Sequence, residues 1–99
     1  MTFAFTYDVP IGRDVYQRLV RDLGPEFPPG MILHLAHEIP GGLRYFDVWE
    51  SKEAHADFVE NRLHPVVDRI VTETLGFRPP EPPHTELTVV DVWAPGAAH

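Results

Sequence analysis

The segment from Gly41 to Ser51 constrains the fold of this chain more than any other part of the sequence. Its two leading glycines suit a tight turn between antiparallel strands. Residues 43–49 follow, with the aromatic and β-branched side chains that strands favour. Ser51 then offers a hydroxyl that can cap the first turn of a helix. The segment therefore predicts a β-hairpin whose second strand leads directly into a helix.

The sequence before this turn predicts two strands and a helix. Aromatic and apolar side chains alternate along residues 3–9, which predicts a first strand. An apolar stripe with helical spacing then lies between Gly12 and the helix-ending Gly24. Residues 31–39 carry the composition of a second strand, which pairs with residues 43–49 across the glycine turn.

The sequence after Ser51 predicts a second helix and a last strand. Pro65 predicts a kink or break in that helix, because proline has no amide hydrogen to donate to the preceding turn. Gly76 is expected to end the helical region. The proline-rich residues 78–83 predict a stiff, extended connector, and residues 85–93 predict the last strand.

The order of these elements is β-α-β-β-α-β, in a chain of 99 residues that forms a single domain over 1–99. This order predicts an α+β, ferredoxin-like fold, with a four-stranded antiparallel sheet and both helices on one face. Both faces of the predicted strands are largely apolar, since Phe46 and Val48 alternate with Tyr45 and Trp49. The helices can cover only one face, so we expect a homodimer in which a second copy covers the other.

Composition excludes several classes of function. The formal net charge is −7 and the basic residues are scattered, which disfavours a nucleic-acid partner. The chain has no cysteine, so disulfide bonds and thiolate nucleophiles are excluded. The sequence shows neither a basic segment leading into a long apolar run nor a stretch long enough to span a membrane. We therefore expect a soluble, cytoplasmic protein without a membrane partner.

The histidines do not predict a metal site. His34 and His37 are three apart on a strand, which places their side chains on opposite faces. His55 and His64 are nine apart, which places them on opposite sides of a helix. We expect no metal and no cofactor, because convergent ligands are too few.

The third strand carries the candidate site. Tyr45, Asp47 and Trp49 share one face of it, and a buried carboxylate needs a partner. A loop made of Gly41 and Gly42 would place His34 opposite Trp49 and diagonal to Asp47, and a four-residue loop would keep that face. A three-residue loop would bring His37 there instead. We predict that His34 and Asp47 form a catalytic acid–base pair.

Each of these residues also has a purely structural interpretation. Trp49 can be core that packs against the second helix, and Asp47 can bind a neighbouring strand or helix. His34 can be a core or interface histidine with a satisfied hydrogen bond. Tyr16 can pack the first helix on the sheet or line a pocket from the helix side.

The run from Phe46 to Ala54, continuing to Phe58, resembles the strand-to-helix signature of the antibiotic-biosynthesis-monooxygenase-like proteins. These proteins belong to the dimeric α+β barrel superfamily. The resemblance implies a sheet-to-sheet homodimer with a ligand pocket between sheet and helices in each subunit. The pocket walls and substrate contacts would then be Tyr45, Trp49, Tyr16 and Phe58.

The resemblance implies binding of a small hydrophobic molecule. The first functional prediction is cofactor-independent monooxygenation or isomerisation of a flat, hydrophobic or aromatic substrate. The alternative is a non-catalytic ligand-binding or stress-response module. Haem binding or degradation is a weaker third prediction. Haem-degrading members pair a strand tryptophan, which Trp49 could match, with a helix histidine and a first-strand asparagine, and this first strand has no asparagine.

Overall fold

The computed structural model describes residues 2–76 and 83–93, which form a four-stranded antiparallel sheet with the helices packed on one face. The strand order is β2-β3-β1-β4, which confirms the predicted ferredoxin-like α+β fold. Most of the predicted connector 78–83 and the chain end 94–99 lie outside the described residues. The elements are β1 (Phe3–Val9), α1 (Arg13–Leu23), β2 (Met31–Ile39), β3 (Gly42–Trp49), α2 (Lys52–Phe58), a π-turn (Val59–Leu63), α3 (His64–Leu75) and β4 (Thr85–Leu87).

The hairpin between β2 and β3 turns at Pro40 and Gly41, since Ile39 pairs with Gly42. Gly41 has φ +86°, and proline followed by a left-handed glycine suits a type II turn. Gly42 is held in the strand, where an added Cβ would lie 2.0 Å from the carbonyl oxygen of Val9. The turn is therefore one residue earlier than the expected Gly41 and Gly42 loop.

This turn changes the register of the hairpin by two residues. His34 lies directly opposite Asp47, and Met31 instead of His34 lies opposite Trp49. Because side chains alternate with period two, a shift of two leaves His34 on the expected face. His37 pairs with Arg44 and lies on the other face of the sheet.

The second helix begins where the sequence predicts it. The Ser51 hydroxyl accepts a hydrogen bond from the Ala54 amide at 3.1 Å and so caps α2. The start of β2 packs closely on this turn: a Cβ added to Gly30 would lie 2.5 Å from the Cβ of Ala54. The amide of Glu50 also donates to the carbonyl of Gly30 at 2.7 Å. This contact holds the end of β3 and the start of α2 together.

Pro65 is accommodated by the π-turn, and α3 continues through it to Leu75. The amide of His64 donates to the carbonyl of Val59, five residues back, which is the π pattern. Pro65 then occupies the first turn of α3, where an amide hydrogen is not needed. The α-helical pattern is therefore broken ahead of the proline, by the π-turn, and it resumes in α3.

The last strand is shorter than predicted. β4 spans only Thr85–Leu87, where Ala4 of β1 pairs with Leu87. The reason is the antiparallel register, since continuing β4 would carry it past the start of β1 at Phe3. Beyond this point Val90 is 98% exposed and Trp93 is 87% exposed.

The core lies between the sheet and the helices, with Phe5, Trp49 and Ile70 the most deeply buried large side chains. The other sheet face is open and apolar. It presents Leu33 and Leu35, which are 46% and 47% exposed, beside the partly exposed Phe46 and Val48. Within the described residues, no helix has the length and apolar character needed to cross a membrane.

Candidate active site

A cavity of about 640 Å³ lies between the sheet and the helices. Side chains from β1, β2 and β3 form one wall, and α1, α2, the π-turn and α3 form the other. Apolar side chains such as Val15, Leu19, Met31, Phe58 and Val67 supply most of the lining. This volume falls within the range of small-molecule sites, roughly 300–1,000 Å³.

A chain of four hydrogen-bonded side chains borders the cavity and extends into the core. The Tyr16 hydroxyl lies 2.8 Å from His34 Nε2, and His34 Nδ1 lies 2.6 Å from Asp47 Oδ1. The indole Nε1–H of Trp49 donates to Asp47 Oδ2 at 3.2 Å. In the tautomer of a neutral imidazole that donates Nδ1–H to the carboxylate, Nε2 accepts the Tyr16 O–H.

Asp47 occupies the buried end of this chain. It is only 6% exposed, and each of its two oxygens already has a donor. This arrangement removes the difficulty of a buried carboxylate in mid-strand, because both oxygens are satisfied. The carboxylate orients the His34 ring and would stabilise its protonated form.

Tyr45 and Tyr16 are phenols with raised pKa values. Burial raises the pKa of Tyr16, and the Asp47 charge adds to the effect. Burial raises the pKa of Tyr45 well above its ordinary value, with further contributions from Tyr16 and Asp47. Both hydroxyls therefore stay protonated at neutral pH and can donate hydrogen bonds. The ring of Tyr45 also meets His34 edge-on at 5.0 Å between centroids.

A second group of aromatic and imidazole rings lies near the β1–β4 edge of the cavity. His84 stacks on Phe5 and Tyr7, with ring centroids 4.8 Å and 4.1 Å apart. His55 contacts Phe5 at 4.6 Å and meets Trp49 edge-on at 5.2 Å. Burial lowers the pKa of His55; Asp47 opposes this shift and His84 adds to it.

The sequence did not reveal His84 as part of this site. Its place follows from the pairing of Thr85 with Thr6, which brings the preceding residue beside Tyr7. That pairing joins the two ends of the chain, and nothing in the residues around 84 indicates it.

Of the six predicted site residues, the structure brings four together at one part of the cavity, places Phe58 elsewhere in its lining and places Trp49 behind it. His34, Asp47, Tyr45 and Tyr16 meet at one part of the cavity, and Phe58 lines it elsewhere. Trp49 has no exposed surface and lies outside the cavity lining. It packs against Phe58 and His55 and donates to Asp47, so it supports the site from behind.

Within residues 2–76 and 83–93, no group of three or more histidine or acidic side chains is placed to hold a metal ion. The hydrogen-bonded chain can instead move protons. His34 Nδ1 bonds to Asp47 and Nε2 bonds to Tyr16, so the imidazole can exchange a proton with the phenol while the carboxylate holds it in place.

No family model matches this chain, and no curated protein matches it. Among solved structures, it superposes with a TM-score of 0.62 on a Chloroflexus aurantiacus protein whose crystal structure carries the provisional name antibiotic biosynthesis monooxygenase. The match covers 97% of this chain and 100% of that one. The two chains therefore share the same α+β fold. Since the identity is 16%, the likeness establishes the fold and leaves the activity to be argued from the site.

Proposed function

We propose that this protein binds a flat hydrophobic molecule in the cavity and carries out acid–base chemistry on it with His34 and Asp47. The observation that carries the proposal is the unbroken hydrogen-bonded chain from buried Asp47 through His34 to Tyr16 at the cavity. Tyr45, Tyr16 and Phe58 supply aromatic walls. Flat rings stack well on such walls, which favours an aromatic ligand.

The proposed reaction is cofactor-independent isomerisation or monooxygenation. Both begin when a base removes a proton from an acidified position of the substrate. In isomerisation the same proton returns to a different atom, and no co-reactant is needed. In monooxygenation O₂ is the oxidant: an activated CH₂ becomes C=O, one oxygen atom enters the product, and the other leaves as water with the two hydrogens.

The alternative is a ligand-binding module without turnover. It is supported by Asp47 and His34, whose nitrogens and oxygens all have partners within the protein. A site of this kind can be a rigid structural network that shapes the cavity. Binding without reaction would then be the whole function.

A screen of flat aromatic phenols and ketones tests these proposals. Turnover is followed by substrate absorbance with and without O₂, since isomerisation persists under nitrogen and monooxygenation stops. His34→Gln should abolish turnover, whereas His37→Gln on the opposite sheet face is the matched control and should retain it. Binding without turnover in the wild-type protein would favour the non-catalytic alternative. A Soret band on adding haem, with no binding of other aromatics, would contradict both.

We also propose that two copies associate through the open sheet face. Leu33, Leu35, Phe46 and Val48 leave that face apolar and exposed in one chain, and exposed patches of this kind mark association surfaces. Light scattering should give twice the chain mass of 11.3 kDa. Leu35→Lys should give the single-chain mass, and Val90→Lys at the 98% exposed Val90 should not. A single-chain mass for the wild-type protein would contradict the dimer.

A cytoplasmic location is proposed from the sequence. Fractionation of cells that express the protein, followed by immunoblotting, tests it. Recovery in a membrane or secreted fraction would contradict it.

A further inference from the structure

The side chain of Tyr45 carries a hydrogen-bond donor next to the cavity. The residue is 7% exposed and belongs to the cavity lining. Its carbonyl accepts from Thr6, but within residues 2–76 and 83–93 its hydroxyl forms no hydrogen bond. Its O–H can therefore donate to a partner outside these residues. A molecule in the cavity can supply that partner if it carries an acceptor oxygen.

The ring of a second tyrosine, Tyr16, lies next to that of Tyr45. The rings of Tyr16 and Tyr45 are 5.7 Å apart between centroids. The Tyr16 hydroxyl also lies 2.8 Å from His34 Nε2, so it connects the cavity to the hydrogen-bonded pair of His34 and Asp47. Burial raises the pKa of each phenol, so both remain neutral donors.

The nitrogens of His34 and the oxygens of Asp47 all have hydrogen-bond partners within the protein. Both oxygens of Asp47 are engaged, by His34 and by the fully buried Trp49. Both ring nitrogens of His34 are engaged, by Asp47 and by Tyr16. A ligand therefore meets this chain of hydrogen bonds at the Tyr16 hydroxyl.

We infer that the hydroxyls of Tyr16 and Tyr45 together bind one acidic oxygen of the ligand, which is a phenol or the enol of a ketone. The inference rests on the proposed function and names its substrate class and its contact atoms. The rest of the cavity is mainly apolar, so the molecule carries this oxygen on an otherwise apolar ring system. Tyr16 becomes the catalytic residue that touches the ligand, and His34 acts through it.

The proton transfer balances without a further reactant. The O–H bond of the ligand breaks, and its proton moves to the Tyr16 oxygen. The original Tyr16 proton moves to His34 Nε2, so Tyr16 stays neutral. The products are a ligand anion and an imidazolium that is paired with Asp47. The anion then accepts hydrogen bonds from both tyrosines, in the manner of an oxyanion hole.

A pair of probes that differ by one oxygen tests this inference. 2-Naphthol carries the phenol, and naphthalene has the same ring system without it. Binding of each is measured by titration on the wild-type protein and on Tyr45→Phe and Tyr16→Phe. Thr72→Val, at the exposed Thr72 of α3 outside the cavity lining, is the control for loss of a hydroxyl. Circular dichroism confirms that each variant folds.

We expect the wild-type protein to prefer 2-naphthol over naphthalene. Tyr45→Phe and Tyr16→Phe should each weaken 2-naphthol binding by about fivefold, the usual effect of one hydrogen bond, and leave naphthalene binding unchanged. Thr72→Val should change neither. The bound 2-naphthol should also show the red-shifted absorption of its anion, and His34→Gln should remove that band.

Two different failures separate this inference from the proposed function. If both probes bind equally, or if neither Tyr45→Phe nor Tyr16→Phe weakens the binding of 2-naphthol, the two-hydroxyl site is wrong. The proposal that a flat hydrophobic molecule binds in the cavity is then retained. If neither probe binds, flat hydrophobic molecules do not enter the cavity, and both proposals are wrong.

Discussion

His34 and Asp47 lie directly opposite each other on β2 and β3, with Nδ1 of His34 2.6 Å from Oδ1 of Asp47. The pair connects two otherwise separate features of the molecule. On one side, Trp49 fixes the carboxylate from the core; on the other, Tyr16 extends the chain to the cavity. The strand pairing therefore sets the geometry of the candidate site, and each member of the chain can be tested by substitution.

Asp47→Asn should destabilise the protein and slow proton transfer through His34. The amide cannot accept from both His34 and Trp49 in the way that the carboxylate does. We expect a loss of about 1–3 kcal/mol in the free energy of unfolding, measured by urea denaturation. Any proton-transfer activity should fall by at least about 10²-fold.

The control for this substitution is Asp8→Asn. Asp8 is an exposed carboxylate on β1 that pairs with Arg44, with N···O distances of 2.8 and 3.2 Å. Since exposed ion pairs contribute little, this variant should unfold like the wild-type protein. Equal losses at the two positions would show that the buried network has no special role.

Trp49→Phe should destabilise the protein and change its fluorescence. The substitution removes the donor to Asp47 Oδ2 and opens space in the core, which together cost about 2–4 kcal/mol. The remaining tryptophan, Trp93, is 87% exposed, so the emission maximum should shift to the red. Trp93→Phe is the matched control, and it should leave a blue-shifted emission and unchanged stability. A red-shifted maximum in Trp93→Phe would contradict the burial of Trp49.

The sequence is sufficient to predict most of the fold, because its strongest signals are local. The alternation in β1, the apolar stripe of α1 and the Ser51 cap each act within a few residues, and the structure confirms all three. The features that differ depend on contacts distant in sequence. Gly42 stays in β3 because β1 passes close to it, and β4 ends one residue short of the start of β1, where Ala4 pairs with Leu87.

In the candidate site, too, the features set by local sequence were predictable and those set by distant contacts were not. Alternation along β3 places Tyr45, Asp47 and Trp49 on one face, and the strand pairing agrees. The depth of each side chain was not predictable, since it depends on what covers it. Trp49 is covered by Phe58 and His55 and therefore lies behind the cavity.

His55→Phe should flatten the dependence of stability on pH in mildly acidic solution. Burial lowers the pKa of His55 in the folded protein below its ordinary value of 6.5. The unfolded chain therefore binds a proton at a higher pH than the folded one, and stability is lost as the pH falls below 6.5. Phenylalanine can keep the contacts with Phe5 and Trp49 without titrating.

The measurement is the urea midpoint from pH 8 to pH 5 for both proteins. Above pH 7.5 the two curves should run parallel, which serves as the internal control. Below that point the wild-type midpoint should fall more steeply than that of the variant. Parallel curves over the whole range would show that His55 takes up its proton equally in both states.

Gly30→Ser should destabilise the junction of β2 with α2. Gly30 has φ +85°, and a Cβ there would lie 2.5 Å from the Cβ of Ala54, so the serine meets both backbone strain and a steric clash. We expect a loss of about 2–4 kcal/mol in the free energy of unfolding. Gly12→Ser is the matched control: its φ is −89°, a Cβ there has open space, and serine suits this helix cap.

A double substitution separates the two causes. Ala54→Gly removes the atom that the new side chain would strike but leaves the backbone strain at residue 30. Gly30→Ser should therefore cost less in the Ala54→Gly background than in the wild-type protein, while some cost remains. An equal cost in both backgrounds would assign the whole effect to the backbone, and no cost in either would contradict the close packing of β2 on α2.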